Sequence, residues 1–473
     1  MSERQTGSYD KKVLGVFSLS MLGISAILNL RNIPFMASLG LESIFFYALS
    51  GLFFLIPSAM ICASLASRFP IHGGIYAWVK LAFGDQLGFL AIWMEWFNNV
   101  IGFPATLSTI VATLIYAVSP KSLESRYVLF TLMMVVFWGC TLFNLLHIKT
   151  SIKANIIGAL CGTIFPGFLI IILGFIWLAS GHLSAIKFDL DQMIPSISSS
   201  SWVFFVGAVS SYAGMQITAF HAQNVTKPNQ TFPKAIFLSA SLIFILSVLA
   251  TLALAIVIPK NQLNIIHGVI EGFSIFFRAF HLSFLVPILA LCLVIGGIAS
   301  LSAWMLGPAR ALQKAALDGL LPKQLALTNT NGMPVFILLS QGVIGSILAL
   351  VFLWMPSAES AFWLLVALTA QFTVLMFLLL FFASIRLSFI KSTAHSKEGF
   401  VLSKPLTILF ASMGSICCLV AFYVGLFPPG LQSYGFDKID YIIMMLVIDI
   451  FILIMPFMLK SLFVLVFRKK ILI

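Results

Sequence analysis

Residues Phe204–Lys234 read FFVGAVSSYAGMQITAFHAQNVTKPNQTFPK. The stretch begins as an apolar, membrane-spanning segment, and its apolar character fails halfway along. Ser210, Ser211, Tyr212 and Gly214 come together there, followed by Gln216, Thr218 and His221. Hydrocarbon offers no water to loose backbone groups, so a polar, glycine-containing interruption at that depth lines protein or a wet cavity. One reading is a broken helix whose freed N–H and C=O groups form an ion or substrate site near the midplane. The other is a continuous helix packed on its neighbours through small residues.

The rest of the chain favours the first reading. Of 473 residues, 60% are hydrophobic and 9% charged, with a mean hydropathy of +1.08. Soluble domains carry roughly 25% charged residues, so this is a polytopic membrane protein. Apolar runs of about 20 residues place about twelve spans near 13–38, 43–67, 86–118, 124–147, 152–179, 201–225, 234–258, 283–308, 333–355, 360–388, 403–427 and 440–467. The first span follows a charged start without a small-residue cleavage site and reads as a retained helix. The loops around 180–200 and 259–282 have room for short helices. Span 1, VFSLSMLGISAILNLRNIPFMASLG, repeats the theme of span 6: Gly23, Ser25, Asn29, Arg31, Asn32 and Pro34 interrupt it. Pro34 removes a backbone donor and disfavours helix at Ile33. Interruptions in the first and sixth spans occupy corresponding places in two five-helix halves, which points to an inverted-repeat transporter with its site between the breaks.

The net charge of +12 does not indicate nucleic acid. Lysines and arginines crowd the short loops of one side, among them Arg68, Lys80, Lys149, Lys234, Arg310, Lys314 and Arg386. That bias puts both termini in the cytoplasm. The six cysteines lie inside apolar runs without metal-ligand spacing and read as small core residues. Neither a metal nor another cofactor is expected, and no nucleophile–base pair or phosphate loop suggests an enzyme.

Arg68-Phe-Pro-Ile-His-Gly-Gly-Ile-Tyr-Ala-Trp78 joins spans 2 and 3. Gly73 and Gly74 permit a tight turn, and Tyr76 and Trp78 suit a membrane interface. This stretch resembles the Pro-x-x-Gly-Gly-x-Tyr-x-Trp signature of the amino acid–polyamine–organocation transporter superfamily. Gly214–His221 with Lys227-Pro228 and Phe232-Pro233, Trp304–Arg310 with Leu320–Pro322, and Asn331–Val335 with Leu339–Gln341 are similar to the branch containing bacterial glutamate/γ-aminobutyrate antiporters. The Phe427–Gly430 turn also fits, and the resemblance runs from about residue 10 to 465. It implies an all-α fold of ten core helices in a five-plus-five inverted repeat, with discontinuous helices 1 and 6 and two peripheral C-terminal helices. The segments would be a cytoplasmic 1–12, a core at 13–388 (halves 13–179 and 201–388), peripheral helices at 389–467 and a short tail at 468–473. The implied activity is amino acid exchange by alternating access in a bacterial inner (plasma) membrane. Amino acids and lipid are then the partners; a homodimer is left open.

The substrate-binding candidates on that resemblance are Ser25, Ala26, Ile27 and Arg31 of span 1, Ser211, Tyr212, Gly214 and Gln216 of span 6, Ser300 of span 8 and Thr373 of span 10. Several depart from the branch. Arg31 stands where a tyrosine is usual and Gln216 where span 6 normally has glutamate. Ser300 replaces an acidic residue, and Thr373 and Phe377 replace tyrosines. The substrate and pH control of the branch are therefore not carried over, and position 216 itself is expected to do no proton chemistry. Ionisable residues inside spans are functional candidates by default. Arg31 either receives a substrate carboxylate or pairs with Glu95 of span 3, and Glu95 is the ion-pair or proton-coupling candidate. Asp449 in span 12 reads as a peripheral or oligomer contact. Ser300 and Ser302 have the oxygens for a sodium ion but are equally ordinary packing residues, and exchange without sodium is favoured. The rivals are proton-coupled symport, a transporter-like sensor, which lacks a long tail to recruit a partner, and a proton-translocating subunit, which requires intramembrane Lys/Glu chains of which this sequence has almost none.

Overall fold

The structure is a computed structural model that describes residues 15–28, 30–69, 73–119, 125–146, 157–158, 160–196, 200–216, 225, 228–390, 400–428 and 437–468. Among these the chain is helical and contains no strand. In order come α1 (Val16–Ile27), α2 (Asn32–Ala37), α3 (Glu42–Arg68), α4 (Ile75–Phe83), α5 (Asp85–Val118), α6 (Arg126–Leu146), α7 (Leu160–Ala179) and α8 (Phe204–Ser210). They are followed by α9 (Pro228–Val257), α10 (Gly268–Ala279), α11 (Leu285–Leu317), α12 (Val335–Trp354), α13 (Ala358–Ser388), α14 (Lys404–Gly425) and α15 (Lys438–Arg468). Ten of these, from α3 to α15, are long and apolar enough to cross a bilayer. The two expected spans missing from the ten are the first and the sixth, the two read as interrupted.

Helical structure follows from the solvent: without water in the hydrocarbon, each backbone donor and acceptor must be satisfied inside its own segment. At 1.5 Å per residue the 33 residues of α11 extend about 50 Å, well beyond a hydrocarbon core of about 30 Å. The sequence places the end of this span near 308, but Pro308–Leu317 continues as helix and carries Arg310 and Lys314 out of the apolar layer. Helix α13 is the centre of the bundle, with 83% of its most apolar window buried, against 28% for α15. Helix α14 runs along α13 and α3, and α15 rests on α5 and α13. The loop at 259–282 does carry a helix, α10, whose Gly268 lies against Pro34 of α2.

The first break begins where α1 stops. Leu28 is extended at ψ 101°, Leu30 and Arg31 form a turn, and α2 starts at Asn32. Pro34 does not make the break, and Ile33 is helical. Proline sits in the first turn of α2, where its missing N–H would have had no intrahelical partner. The interruption instead lies upstream, in the turn at Leu30 and Arg31. The second break follows Ser210: residues 211–214 form a turn, and Gly214 adopts φ 129°. A side chain there would be strained, so a glycine ends the helix. Thr218, His221 and the rest of 217–224 lie outside the described residues.

Local irregularities cluster where helices approach the breaks. α3 contains a π-helical turn at Gly51–Leu55, and an ideal Cβ on Gly51 would lie 3.1 Å from the Phe244 ring. α7 opens with a π-helical turn at Leu160–Ile164, where a Cβ on Gly162 would lie 2.3 Å from the Gly296 Cα of α11. Such turns insert a residue and re-aim one face of a helix. Four cysteines are buried as core residues, whereas Cys161 is exposed and Cys292 half-buried.

Candidate functional site

The breaks meet through side chains. Asn32 Nδ2, in the first turn of α2, donates to Ser211 Oγ at 3.2 Å, and Ser211 Oγ donates to the Gly207 carbonyl at 2.8 Å. One hydroxyl thus joins the start of α2 to the end of α8. Arg31 precedes Asn32 and is half-buried. Its guanidinium Nη1 donates to Thr106 Oγ1 of α5 at 2.6 Å. Thr106 lies eleven residues beyond Glu95 on α5, about 16 Å along the axis. That separation explains why Arg31 and Glu95 form no ion pair in this conformation. The ion pairs between described residues join Lys80 to Asp85 and Asp318, and Lys314 to Asp318, with a His267–Glu271 contact besides.

Glu95 meets span 6 instead. Gln216 Nε2 donates to Glu95 Oε1 at 3.3 Å, with both residues buried. Asn99 Nδ2 donates to the Glu95 carbonyl at 2.7 Å. From the next residue, Trp96 Nε1 donates to Gln341 Oε1, and Gln341 Nε2 donates to the Met305 carbonyl, fixing α5 to α12 and α11.

The other candidates divide. Ile27 is buried as the last residue of α1. Ser25 and Ala26 lie in the same turn, their side chains outside the described ones. Tyr212 is fully buried and turns away toward α3 and α9, its ring 5.7 Å from Tyr47 and 6.4 Å from Phe244. Thr373 Oγ1 donates to the Thr369 carbonyl of its own helix at 2.8 Å. Ser300 is half-buried on α11, one turn past Gly296, and Ser302 Oγ donates to Asn144 Oδ1 at 2.6 Å. Asp449 is not a surface contact. It is 2% exposed on α15, and neither carboxylate oxygen has a hydrogen-bond partner among the described residues.

An aromatic stack covers one end of this region. Phe35 of α2 stacks on Phe204 of α8 at 4.3 Å between centroids and lies 4.4 Å from Trp363 of α13. Trp363 is near the start of α13, at the end opposite Arg386 and Arg68, whose guanidinium Nη2 donates to the Ile390 carbonyl. At that basic end Tyr76 and Trp78 are buried in protein. Tyr76 OH donates to Asp318 Oδ2 at 2.6 Å and Trp78 Nε1 to the Phe69 carbonyl. Positive φ at Gly73, Gly74 and Gly84 turns α4 into this position.

Asp318 also accepts from Lys80 at 2.7 Å and pairs with Lys314 at 3.0 Å. Burial raises its carboxyl pKa, but these bonds outweigh it and hold the group well below the usual carboxylate range. Lys80 is raised by its bonds to Asp318 and Asp85. At the other end, His267 stands 3.8 Å from Glu271. Burial pushes His267 down to about 4 and Glu271 up. Both shifts favour neutral forms, so the pair is not an ion pair at neutral pH, whatever its separation.

Sequence reading missed Thr106, Asn32 and the Phe35–Trp363 contact. Thr106, Thr109 and Thr113 do recur at helical spacing, a visible polar stripe on span 3. Nothing local marks Phe35 or Trp363, which meet from positions more than 300 residues apart.

Ten described helices long and apolar enough to cross a membrane, with α2 and α8 joined through polar side chains where spans 1 and 6 are interrupted, have the form of a polytopic membrane protein built for transport. The chain belongs to the amino acid permease family, whose model matches residues 14–449. It is an integral membrane protein and an amino acid transporter. It is 36% identical over 424 residues to an uncharacterized transporter of Legionella pneumophila, covering 89% of this chain and 91% of that one. It is 27% identical over 426 residues to a glutamate/gamma-aminobutyrate antiporter of Lactococcus lactis subsp. lactis, covering 89% and 85%. A glutamate/gamma-aminobutyrate antiporter of Lactococcus lactis subsp. cremoris is 30% identical over 340 residues, covering 71% and 68%.

Proposed function

We propose that this protein is an amino acid antiporter working by alternating access, with substrate held between the breaks of spans 1 and 6. The observation that carries this is the Asn32–Ser211 bond between the breaks, with the preceding residue, Arg31, reaching Thr106 of α5. The ends of interrupted helices are suited to receive a carboxylate and an ammonium. Arg31 adds a charge-assisted site for a carboxylate, and the relatives' names as glutamate/gamma-aminobutyrate antiporters support exchange. The scaffold is a five-plus-five inverted repeat at 13–388 with two peripheral helices and both termini cytoplasmic, in keeping with the paired breaks and the basic loops. Of the sequence candidates, Ile27, Arg31, Ser211, Gly214 and Gln216 line this region on our reading. Tyr212 and Thr373 support it through packing.

Purified protein in liposomes is the test, with radiolabelled L-glutamate outside and a panel of single amino acids inside. Uptake should require an internal amino acid. Uptake equal in empty and loaded liposomes would rule out exchange. Proton-coupled symport is the second reading, favoured by the buried Glu95–Gln216 pair; it predicts uptake into empty liposomes driven by an acid outside.

A further inference from the structure

The hydrogen bonds around Glu95 leave a remainder. Gln216 Nε2 donates to Glu95 Oε1, yet Glu95 Oε2 and Gln216 Oε1 are both buried without a partner among the described residues. Two acceptors therefore belong to groups already joined, and neither has a donor. A buried acceptor left unmade costs about 1–3 kcal/mol, and more for a charged group. Native structures satisfy such groups or explain them.

Among the described residues no cation pairs with Glu95. Cys62 of α3 is the titratable group nearby. Lys80 of α4 is held by Asp85 and Asp318. Arg126 opens α6, Arg310 and Lys314 close α11, and Glu359 and Arg386 stand at the ends of α13. Helix α12 carries no charge, Glu271 and Arg278 of α10 lie in the loop at 259–282, and Asp449 of α15 is itself a carboxyl without a partner. Arg31 is at Thr106.

We propose that Glu95 and Gln216 form a proton-binding site, in which a proton on Glu95 Oε2 is donated to Gln216 Oε1 and closes a two-bond acid–amide pair between spans 3 and 6. One added hydrogen satisfies both orphan oxygens and removes the charge. Binding transfers a proton from hydronium in water to Oε2, forming one O–H bond and taking the site from −1 to neutral. Loss of the proton leaves a carboxylate facing an amide oxygen. The contact between Glu95 and Gln216 must then open or admit water. Proton release and opening of that contact become one event, which rests on the reading of spans 1 and 6 as the substrate site of an alternating-access transporter. Position 216 is thus the acceptor and Glu95, across the interface, the proton carrier.

Infrared spectra of the purified full-length protein in lipid nanodiscs test this without any substrate, so the site and the exchange reading fail separately. At neutral pH the wild type should show a protonated-carboxyl C=O band that shifts in D2O. Glu95→Gln, which keeps an amide–amide pair, should lose that component, Asp449→Asn should keep it, and the swap Glu95→Gln with Gln216→Glu should restore it. Gln216→Leu, made on the opposite partner, should move the band to higher frequency by removing the acceptor. A band unchanged in Glu95→Gln, or unmoved in Gln216→Leu, overturns the proposal.

Discussion

Gly207→Ala tests how tightly the two breaks are closed over. An ideal Cβ at 207 would lie 2.3 Å and 2.9 Å from Cε1 and Cδ1 of the Phe35 ring. Carbon contacts settle at about 3.5–4.0 Å, so the ring must retreat by more than about 1 Å. It is not free to do so, because it stacks on Phe204 at 4.3 Å and lies 4.4 Å from Trp363. Each aromatic pair contributes about 0.5–1.5 kcal/mol beyond burial, and losing both costs about 1–3 kcal/mol. Alanine in place of glycine within a helix returns about 0.5–1 kcal/mol. The expected net loss lies within about 0–2.5 kcal/mol and centres near about 1 kcal/mol, a factor of about 5 in an equilibrium constant.

Thermal melting of a four-protein cycle measures it: wild type, Gly207→Ala, Phe35→Leu and the double variant. Gly207→Ala should melt below wild type. With the ring removed in the Phe35→Leu background, the same change should become stabilising. A Gly207→Ala protein that melts at or above wild type would refute the packing argument. So would the absence of a sign change in the Phe35→Leu background.

Thr106→Val removes the acceptor of the Arg31 guanidinium and should cost about 1.5–3 kcal/mol in thermal stability; Thr106→Ser should cost little, and equal losses in the two variants would show that the hydroxyl is unimportant. Asp318 has a depressed folded-state pKa, so its stabilisation is present above the usual aspartate value and lost as pH falls. Asp318→Asn should lower the melting temperature at pH 7 and flatten its decline below about pH 4, and parallel melting-against-pH curves would contradict that. His267 is depressed from 6.5 to about 4. The folded state binds fewer protons between those values, so stability is complete above about pH 6.5 and falls toward pH 4, by at most about 3 kcal/mol. Glu271, raised on folding, works in the opposite direction and reduces the net loss. His267→Gln should melt more evenly across that pH range, and an unchanged acid decline would place the lability elsewhere.

The apolar spans and the interruptions in the first and sixth were legible in the sequence because hydropathy is a local quantity, and ten of the twelve expected spans are long helices among the described residues. A run such as Ala358–Ser388 must be a buried helix wherever its neighbours stand. The second break was legible for the same reason, since the Gly214 conformation is one that glycine adopts without strain. Local rules also misled: Pro34 suggested a break at Ile33, yet the first turn of a helix tolerates proline, and the interruption lies before Asn32.

Side-chain pairings could not be read this way. Arg31 and Glu95 were natural partners by charge, but eleven residues of helix separate Glu95 from the threonine that Arg31 contacts. Tyr212 lies in the second break and Gln216 just after it, and only the packing turns one toward Tyr47 and the other toward Glu95. Sequence by itself determined a helical membrane protein whose first and sixth apolar runs are interrupted, because each run answers to the solvent around it. Tertiary structure decided which polar groups meet inside, because partners such as Glu95 and Gln216, 121 residues apart, are chosen by helix rotation and register in the packed bundle.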